Sequence, residues 1–142
     1  VPIVGEINTW PVVHYFWPTK VQVLAPRCRE QEPGIMDVHW IQSMDDLGPG
    51  HFGLLEPKIE RTQALALPEP DIILIPALAF DSHGFRLCFG GGYYDRFLAT
   101  LTHKHLRIGL VYEFQVVDQL PRDVWDQPVD LLVTPEKIIH CS

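Results

Sequence analysis

An arginine, three glycines and an aspartate lie close together in this sequence, and their types and spacing suggest chemistry. Arg86 precedes the triplet Gly90-Gly91-Gly92, and Asp95 follows it at the start of a predicted helix. Glycines let the backbone bend and approach a ligand, and the free N–H groups of a helix start favour negative charge. Arginine binds phosphate through paired hydrogen bonds, and aspartate is a ligand for Mg²⁺. The pattern therefore predicts an anion site.

The same residues also have purely structural explanations, which the residue types leave open. The glycine triplet is not a Walker A loop, because no GK[ST] follows, and its spacing differs from a Rossmann fingerprint. It is also compatible with a flexible turn. Asp95 is equally suited to stabilise the helix dipole, and Arg86 to form a surface ion pair.

Aromatic and acidic residues elsewhere extend the candidate site. Tyr93 and Tyr94 are adjacent on the predicted helix, so at most one faces the core and the other is available to stack on a flat ligand. Glu6 lies near the predicted carboxyl end of a strand, the edge where open α/β sheets collect ligands. Phe52 begins the segment FGLLEP in an irregular stretch. Both segments also have structural explanations. The residues near Glu6 could cap a helix, and the loop at Phe52 could pack under the core.

Short apolar segments predict the strands that position these residues. Strands alternating with helices indicate an α/β fold with a mostly parallel sheet. We expect Ile72–Ile75 to be buried on both faces, because it is short and rich in branched residues. A polar turn follows at residues 81–84, and a helix runs from Tyr93 toward Leu101. The later predicted strands are Leu106–Tyr112, Asp130–Thr134 and an edge segment, Lys137–His140.

The first half of the chain is predicted with shorter elements. A helix begins at Trp10, capped by Asn8 or Thr9, stops at Pro18, and packs against a sheet. Alternating residues predict neighbouring antiparallel strands and then a helical turn. These elements are Lys20–Ala25, ended by Pro26, then Ile35–Trp40 and the turn Ser43–Leu47. The remaining segments are predicted as a loop, Gly48–Gly53, and an irregular stretch, Leu54–Pro70.

Composition limits the possible classes of protein. The 142 residues, 46% of them apolar, suit one domain spanning residues 1–142. The formal charge of −7 argues against a nucleic-acid partner, which needs a basic surface. No segment reaches transmembrane length and no signal peptide is visible, so we expect no membrane partner. The three cysteines lack a CxxC spacing, which favours reduced thiols and a cytoplasmic location.

Beyond these patterns, RLCFGGGYYDRFL, preceded by IPALAFDSHGFR, resembles the signature of the 5-formyltetrahydrofolate cyclo-ligase family. Other segments also resemble the family: GEINT, KVQVLAPR, DDLGPGHFGLLEPK and IGLVYEFQVVDQLPRDVWDQPVDLLVTPEKII. The resemblance covers almost the whole chain, in order. It departs from the family in two places. The family's basic N-terminal helix, which helps to bind ATP, has no counterpart here, and Cys88 stands where the family usually has glycine.

The resemblance implies a three-layer α/β/α sandwich with a mainly parallel central sheet. It implies ATP- and Mg²⁺-dependent closure of 5-formyltetrahydrofolate to 5,10-methenyltetrahydrofolate, with release of ADP and phosphate. Arg86 and Tyr93 would be catalytic, Asp95 would bind Mg²⁺, and Glu6, Phe52 and Tyr93 would contact the folate. The nucleotide would be bound by Arg86, Gly90, Gly91, Gly92, Tyr93, Tyr94 and Asp95.

Two rival hypotheses follow from the same resemblance. One is a folate- or nucleotide-binding module that keeps the fold but has impaired catalysis, because the basic helix is missing. The other is a different enzyme on a related fold, such as a sugar-phosphate isomerase or a CoA-transferase relative. The protein would be a monomer or a homodimer. A missing first element exposes a strand edge and apolar surface, so its absence favours the homodimer.

Overall fold

The computed structural model describes residues 7–50, 53–87 and 91–141. These residues form an α/β protein with few helices and with both parallel and antiparallel strand pairs, which confirms the fold class at this level. The strand predicted at the start of the chain lies outside the described residues. So do four residues singled out from the sequence: Glu6, Phe52, Cys88 and Gly90.

The chain divides into two compact units. Within the described residues the first is Asn8–Pro68, and the second comprises Ile7 and residues 69–141. Over the three described ranges, no helix is long and apolar enough to cross a membrane. The prediction that residues 1–142 act as one domain stays a prediction.

The first unit begins with a helix and an antiparallel strand pair. The helix α1 (Trp10–Phe16) begins where predicted, with Thr9 at its N-cap position and the Trp10 N–H bonded to Asn8 Oδ1 at 3.1 Å. The strands β1 (Val23–Cys28) and β2 (Met36–Ile41) are antiparallel, as predicted. Just after α1, the Trp17 indole N–H donates to the Ile41 carbonyl at 3.1 Å. This bond ties the end of the helix to β2.

The predicted end of β1 at Pro26 is wrong. Pro26 lies within the strand, opposite Val38, and the strand starts and ends later than the predicted Lys20–Ala25. Proline lacks an N–H, but each strand of a two-stranded ladder leaves half of its amides without a strand partner. A proline at such a position removes no ladder hydrogen bond, so it does not end the strand.

The structure contains a small hairpin where the sequence predicts a loop and an irregular stretch. The predicted helical turn is confirmed as a 3-10 helix, Met44–Asp46. It is followed by β3 (Leu47–Pro49) and β4 (Leu55–Pro57), which are antiparallel. The hairpin was missed because neither strand alternates in hydrophobicity. The buried Glu56 carboxylate supports it by accepting the Cys28 N–H at 2.9 Å, a contact that local patterns do not reveal.

The second unit holds the remaining elements. In chain order they are β5 (Ile72–Ile75), β6 (Ala79–Asp81), β7 (Arg86–Leu87), α2 (Tyr93–Thr100), β8 (Leu106–Leu110), a 3-10 helix (Glu113–Gln115), β9 (Val116–Val117), β10 (Leu131–Val133) and β11 (Ile138–His140). The predicted helix, the two later strands and the edge segment are confirmed, with boundaries that differ by up to two residues.

The larger sheet of this unit has the order β11-β10-β8-β5. The pairs β5–β8 and β8–β10 are parallel, whereas β11 runs antiparallel to β10. The prediction that β5 is buried on both faces is wrong at its start, because Ile72 is 59% exposed. Among the described strands β5 lies at the end of the sheet, and its burial increases only toward Ile75.

A second sheet, with the order β7-β6-β9, presents Arg86. The predicted turn at residues 81–84 joins β6 to β7, and the Gly84 N–H donates to the Asp81 carbonyl at 3.0 Å. The Asp81 carboxylate is fully buried. It accepts backbone N–H bonds from His83, Phe85 and Leu120 at 3.0, 3.1 and 3.0 Å. One buried carboxylate therefore fixes both the turn and the backbone that leads to Arg86.

The core of the second unit closes tightly around Gly109 in β8. A Cβ added at Gly109 would lie 2.6 Å from Phe80 Cζ and 3.0 Å from a Leu132 methyl group. Phe80 and Leu132 are fully buried, so neither side chain can move into solvent. The sheet therefore requires glycine at this position for packing.

We predict that Gly109→Ala destabilises the protein by about 1–3 kcal/mol, because it overfills a packed core. Denaturant unfolding measures the change. The double variant Gly109→Ala, Phe80→Leu tests the cause, since it removes the ring atoms that clash. The alanine should cost clearly less in the Phe80→Leu background than alone. An equal cost in both backgrounds would show that this contact is not the reason.

His39 on β2 is a buried polar residue. Its Nδ1 lies 3.0 Å from Thr62 Oγ1, and that hydroxyl donates its hydrogen to the Lys58 carbonyl at 2.7 Å. Because a hydroxyl has one hydrogen, Nδ1 must be the donor to Thr62, and a neutral imidazole protonated at Nδ1 meets this need. Burial lowers the pKa of His39, and the nearby Asp37 carboxylate opposes part of this effect.

We predict that stability falls with acidification below about pH 6.5, the ordinary pKa of histidine. The pKa of His39 is lower in the folded state, so the unfolded state takes up a proton first, and stability is lost as the pH falls toward the folded pKa. The slope is at most about 1.4 kcal/mol per pH unit. Urea unfolding across this range should show a smaller slope for His39→Gln, and the wild-type slope for the exposed control His14→Gln.

Candidate functional site

A cleft of about 220 Å³ lies in the second unit, at the glycine-rich loop. The side chains and backbone that line it come from β7 and the residue before it, from the loop, from the first turn of α2 and from the chain before β10. The lining residues are Phe85, Arg86, Gly91, Gly92, Asp95, Trp125, Asp126 and Gln127. The cleft therefore brings together Arg86, two of the glycines and Asp95, as the sequence predicts.

The glycine loop needs glycine at both described positions. Gly91 and Gly92 have φ values of 90° and 67°, which side chains rarely adopt. A Cβ at Gly91 would also lie 2.9 Å from Tyr93 Cε2. Gly92 is the N-cap residue of α2, and it has no side chain that could bond to the first N–H groups of the helix. The helix start is therefore available to an anion.

A buried ion pair connects β7 to α2. Arg86 Nη2 donates to Asp95 Oδ1 at 2.9 Å, and the two side chains are only 6% and 15% exposed. Arg86 Nη1 donates to the Gln127 carbonyl, and the Gln127 N–H donates to Asp95 Oδ1, both at 2.9 Å. Arg86 and Asp95 thus hold each other, and together they clamp both backbone groups of Gln127.

A turn beside the clamp contributes the other wall of the cleft. The Asp126 N–H donates to the Asp123 carbonyl at 3.1 Å, and Asp126 Oδ2 accepts the Asp123 N–H at 2.7 Å. Val124 and Trp125 occupy the tip of this turn and are 97% and 63% exposed. The site therefore includes a carboxylate and an exposed indole ring next to the clamped Gln127.

The two tyrosines take different positions at the start of α2. The Tyr93 ring lies against Gly91, and Tyr94 packs against the apolar core of the unit. This arrangement agrees with the expectation that at most one of them faces the core. Arg96 is exposed, and it donates to the Gly91 carbonyl, so it supports the loop.

Sequence reasoning missed the role of residues 125–127. Gln127 forms the clamp through its backbone, which no side-chain pattern reveals. Trp125 next to an acidic residue in a Pro-bounded segment was the only available signal. Phe85 was also missed; it lines the cleft, and the Arg122 guanidinium lies 3.9 Å from its ring centroid.

The carboxylate oxygens in the cleft are suitable ligands for Mg²⁺. Asp95 and Asp126 both line it and supply carboxylate oxygens, which Mg²⁺ prefers, and both described bonds to Asp95 end on Oδ1. Across the described ranges, no group of three or more His, Cys, Asp or Glu side chains could hold a metal. Mg²⁺ usually binds through one or two carboxylates together with waters and substrate phosphates, and this cleft fits that pattern.

A glycine-rich loop that leads into a helix beside an arginine and two carboxylates is typical of α/β proteins that bind phosphate. Comparison with known proteins is more specific. The sequence model of the 5-formyltetrahydrofolate cyclo-ligase family matches residues 1–135. The chain therefore belongs to the 5-formyltetrahydrofolate cyclo-ligase family.

Individual relatives agree with this assignment. The chain is 32% identical to the 5-formyltetrahydrofolate cyclo-ligase of Escherichia coli K12, over 94% of this chain and 74% of that protein. It is 34% identical to the enzyme of that name from Haemophilus influenzae, over 91% of this chain and 70% of the relative.

Solved structures of the family are also similar. The 5,10-methenyltetrahydrofolate synthetase of Aquifex aeolicus matches with a TM-score of 0.79 and 36% identity, over 99% of this chain and 68% of that one. The synthetase of that name from Mycoplasma pneumoniae gives a TM-score of 0.67 and 26% identity, over 93% and 68% of the two chains.

We predict that Arg86→Met destabilises the protein by about 3–5 kcal/mol, because it leaves the Asp95 charge buried without its partner. The double variant Arg86→Met, Asp95→Leu should recover part of this loss. A matched control is Arg29→Met: Arg29 and Asp37 are also 2.9 Å apart but are 43% and 30% exposed, so this change should cost clearly less. Equal losses for the two single variants would refute the structural importance of burial.

Proposed function

We propose that this protein catalyses the ATP- and Mg²⁺-dependent cyclisation of 5-formyltetrahydrofolate to 5,10-methenyltetrahydrofolate, with release of ADP and phosphate. The observation that carries the proposal is the cleft around Arg86, Gly91, Gly92 and Asp95 in a member of the cyclo-ligase family. The names of the relatives include 5-formyltetrahydrofolate and 5,10-methenyltetrahydrofolate, the proposed substrate and product, and the cleft supplies groups suited to a polyphosphate.

The chemistry explains why a phosphate site is needed. A formamide oxygen is a poor leaving group, so the γ-phosphoryl group of ATP is first transferred to it. The neighbouring folate nitrogen then attacks the activated formyl carbon, the C–O bond breaks and phosphate leaves. Catalysis of such a transfer is mainly positioning and stabilisation of charge, and the proton of the attacking nitrogen can leave with the departing phosphate.

The described residues can supply that positioning. The start of α2 offers N–H groups to phosphate oxygens, with Gly91 and Gly92 letting the backbone approach them closely. Arg86 has five N–H donors, and its two described bonds leave others for a ligand in the cleft. Tyr93 lies beside Gly91 and is proposed to meet the reacting groups. Tyr94, which packs against the core, is proposed to support the nucleotide loop.

Asp95 and Asp126 are proposed to hold Mg²⁺. Bound there, the ion would neutralise charge on the phosphate oxygens. The lining of the cleft contains one guanidinium and two carboxylates, so its charged side chains do not by themselves attract a polyphosphate. This balance supports a requirement for a divalent cation.

The remaining site assignments rest on the resemblance. We propose that Glu6 and Phe52 contact the folate and that Gly90 completes the phosphate loop. The three-layer α/β/α sandwich is likewise a proposal, supported by the parallel pairs of β5, β8 and β10. Three further statements are also proposals: that residues 1–142 form a single domain, that the protein is cytoplasmic, and that it is a monomer or a homodimer.

A binding module with impaired catalysis is the second candidate. The observation that favours it is the ion pair itself, because Arg86 and Asp95 already satisfy each other in part. Calorimetry with ATP and with 5-formyltetrahydrofolate, run beside the cyclisation assay, separates the two. Binding of either ligand without turnover supports the module, and turnover excludes it.

We predict that the protein forms methenyltetrahydrofolate, followed by absorbance, when ATP, Mg²⁺ and 5-formyltetrahydrofolate are all present. Asp126→Asn should raise the Mg²⁺ concentration needed for half-maximal rate by roughly 10-fold, because it removes one anionic ligand. Asp123→Asn on the same turn is the matched control and should leave this concentration unchanged. Failure of the well-folded wild type to turn over would refute the proposed reaction for this chain.

A further inference from the structure

The exposed Trp125 ring is not explained by the fold or by the reaction proposed above. Large aromatic side chains bury much apolar surface when they pack, yet this ring is 63% exposed at the edge of the cleft. Its neighbour Val124 is 97% exposed and is absent from the residues that line the described cleft. Of the two residues at the tip of the turn, only the aromatic one therefore faces the site.

The turn that carries Trp125 is firmly held. Two hydrogen bonds between Asp123 and Asp126 close it, at 3.1 and 2.7 Å. On its other side, both backbone groups of Gln127 are bonded to the buried Arg86–Asp95 pair. Because the backbone of the turn is already ordered, a ligand that contacts Trp125 does not bear the entropy cost of ordering that backbone.

The chemistry of the neighbouring residues indicates the class of ligand. Arg86, the helix start and the two carboxylates of the cleft suit phosphates and a divalent cation, and Trp125 lines the same cleft. A nucleoside triphosphate carries a flat base and a polyphosphate in one molecule, joined by a ribose. Aromatic side chains stack on such bases with little dependence on base identity.

We propose that Trp125 is the side chain on which the nucleotide base stacks. The proposal rests on the proposed function, since it assumes that the cleft takes ATP. It adds a binding residue outside the glycine loop and divides the site in two. The loop and the ion pair bind the phosphates, and the turn Asp123–Asp126 binds the base.

Calorimetry with Mg²⁺ present tests this division, using ATP and inorganic tripolyphosphate as ligands. Trp125→Ala should weaken ATP binding by roughly 10-fold, the effect of losing one stacked base, and leave tripolyphosphate binding unchanged. Trp125→Phe should keep most of the ATP affinity. Val124→Ala, on the same turn, is the control and should bind both ligands like the wild type. Thermal unfolding should be nearly the same for all, because both side chains are exposed.

Two outcomes would overturn the stacking role. These are an equal loss of affinity for both ligands and an unchanged affinity for ATP in Trp125→Ala. The cyclisation assay separates this failure from that of the proposed reaction. If the wild type catalyses the reaction but its affinity for ATP does not depend on Trp125, the stacking proposal alone is overturned. Trp125-dependent binding without turnover overturns the reaction alone, and a wild type that binds neither ATP nor tripolyphosphate overturns both.

Discussion

The candidate site depends on one buried ion pair, between Arg86 in β7 and Asp95 in α2. It joins a hairpin to a helix and, through Gln127, to the chain before β10. Burying two charges is costly unless geometry and hydrogen bonds compensate, and here Asp95 Oδ1 accepts two donors while Arg86 reaches a carbonyl as well. Separating these segments would leave a buried charge without its partner, so the pair fixes the shape of the cleft.

The pair also bears on how an acidic protein could form the proposed phosphate site. With a formal charge of −7, the chain offers no general attraction to anions. Arg86 and Asp95 compensate each other, and Asp126 leaves the lining of the described cleft with an excess of negative side chains. In the proposed function, phosphate is bound by backbone N–H groups at the start of α2, by the remaining N–H donors of Arg86 and by a bound cation.

The sequence predicts the elements whose signal is local and leaves out those that depend on distant contacts. The strands β8 and β10 and the helix α2 follow from apolar runs and a glycine loop, and the structure confirms them. The β3–β4 hairpin depends on Glu56 bonding to the Cys28 backbone, which no local pattern shows. In the site, the sequence predicts Arg86 and Asp95 as candidate residues from their types. It does not predict that they pair with each other. Gln127 was missed because its backbone, not its side chain, makes the clamp.

The beginning of α2 shows why glycine is suited to this position. Helices commonly begin at Ser, Thr, Asp or Asn, whose side chains accept the first N–H groups. Gly92 occupies the N-cap with a φ of 67° and cannot make such a bond. Asp95, in the first turn of the helix, instead accepts a hydrogen bond from Arg86 in the ion pair. An anionic ligand would therefore complete the helix cap, and binding it would stabilise α2 and the loop together.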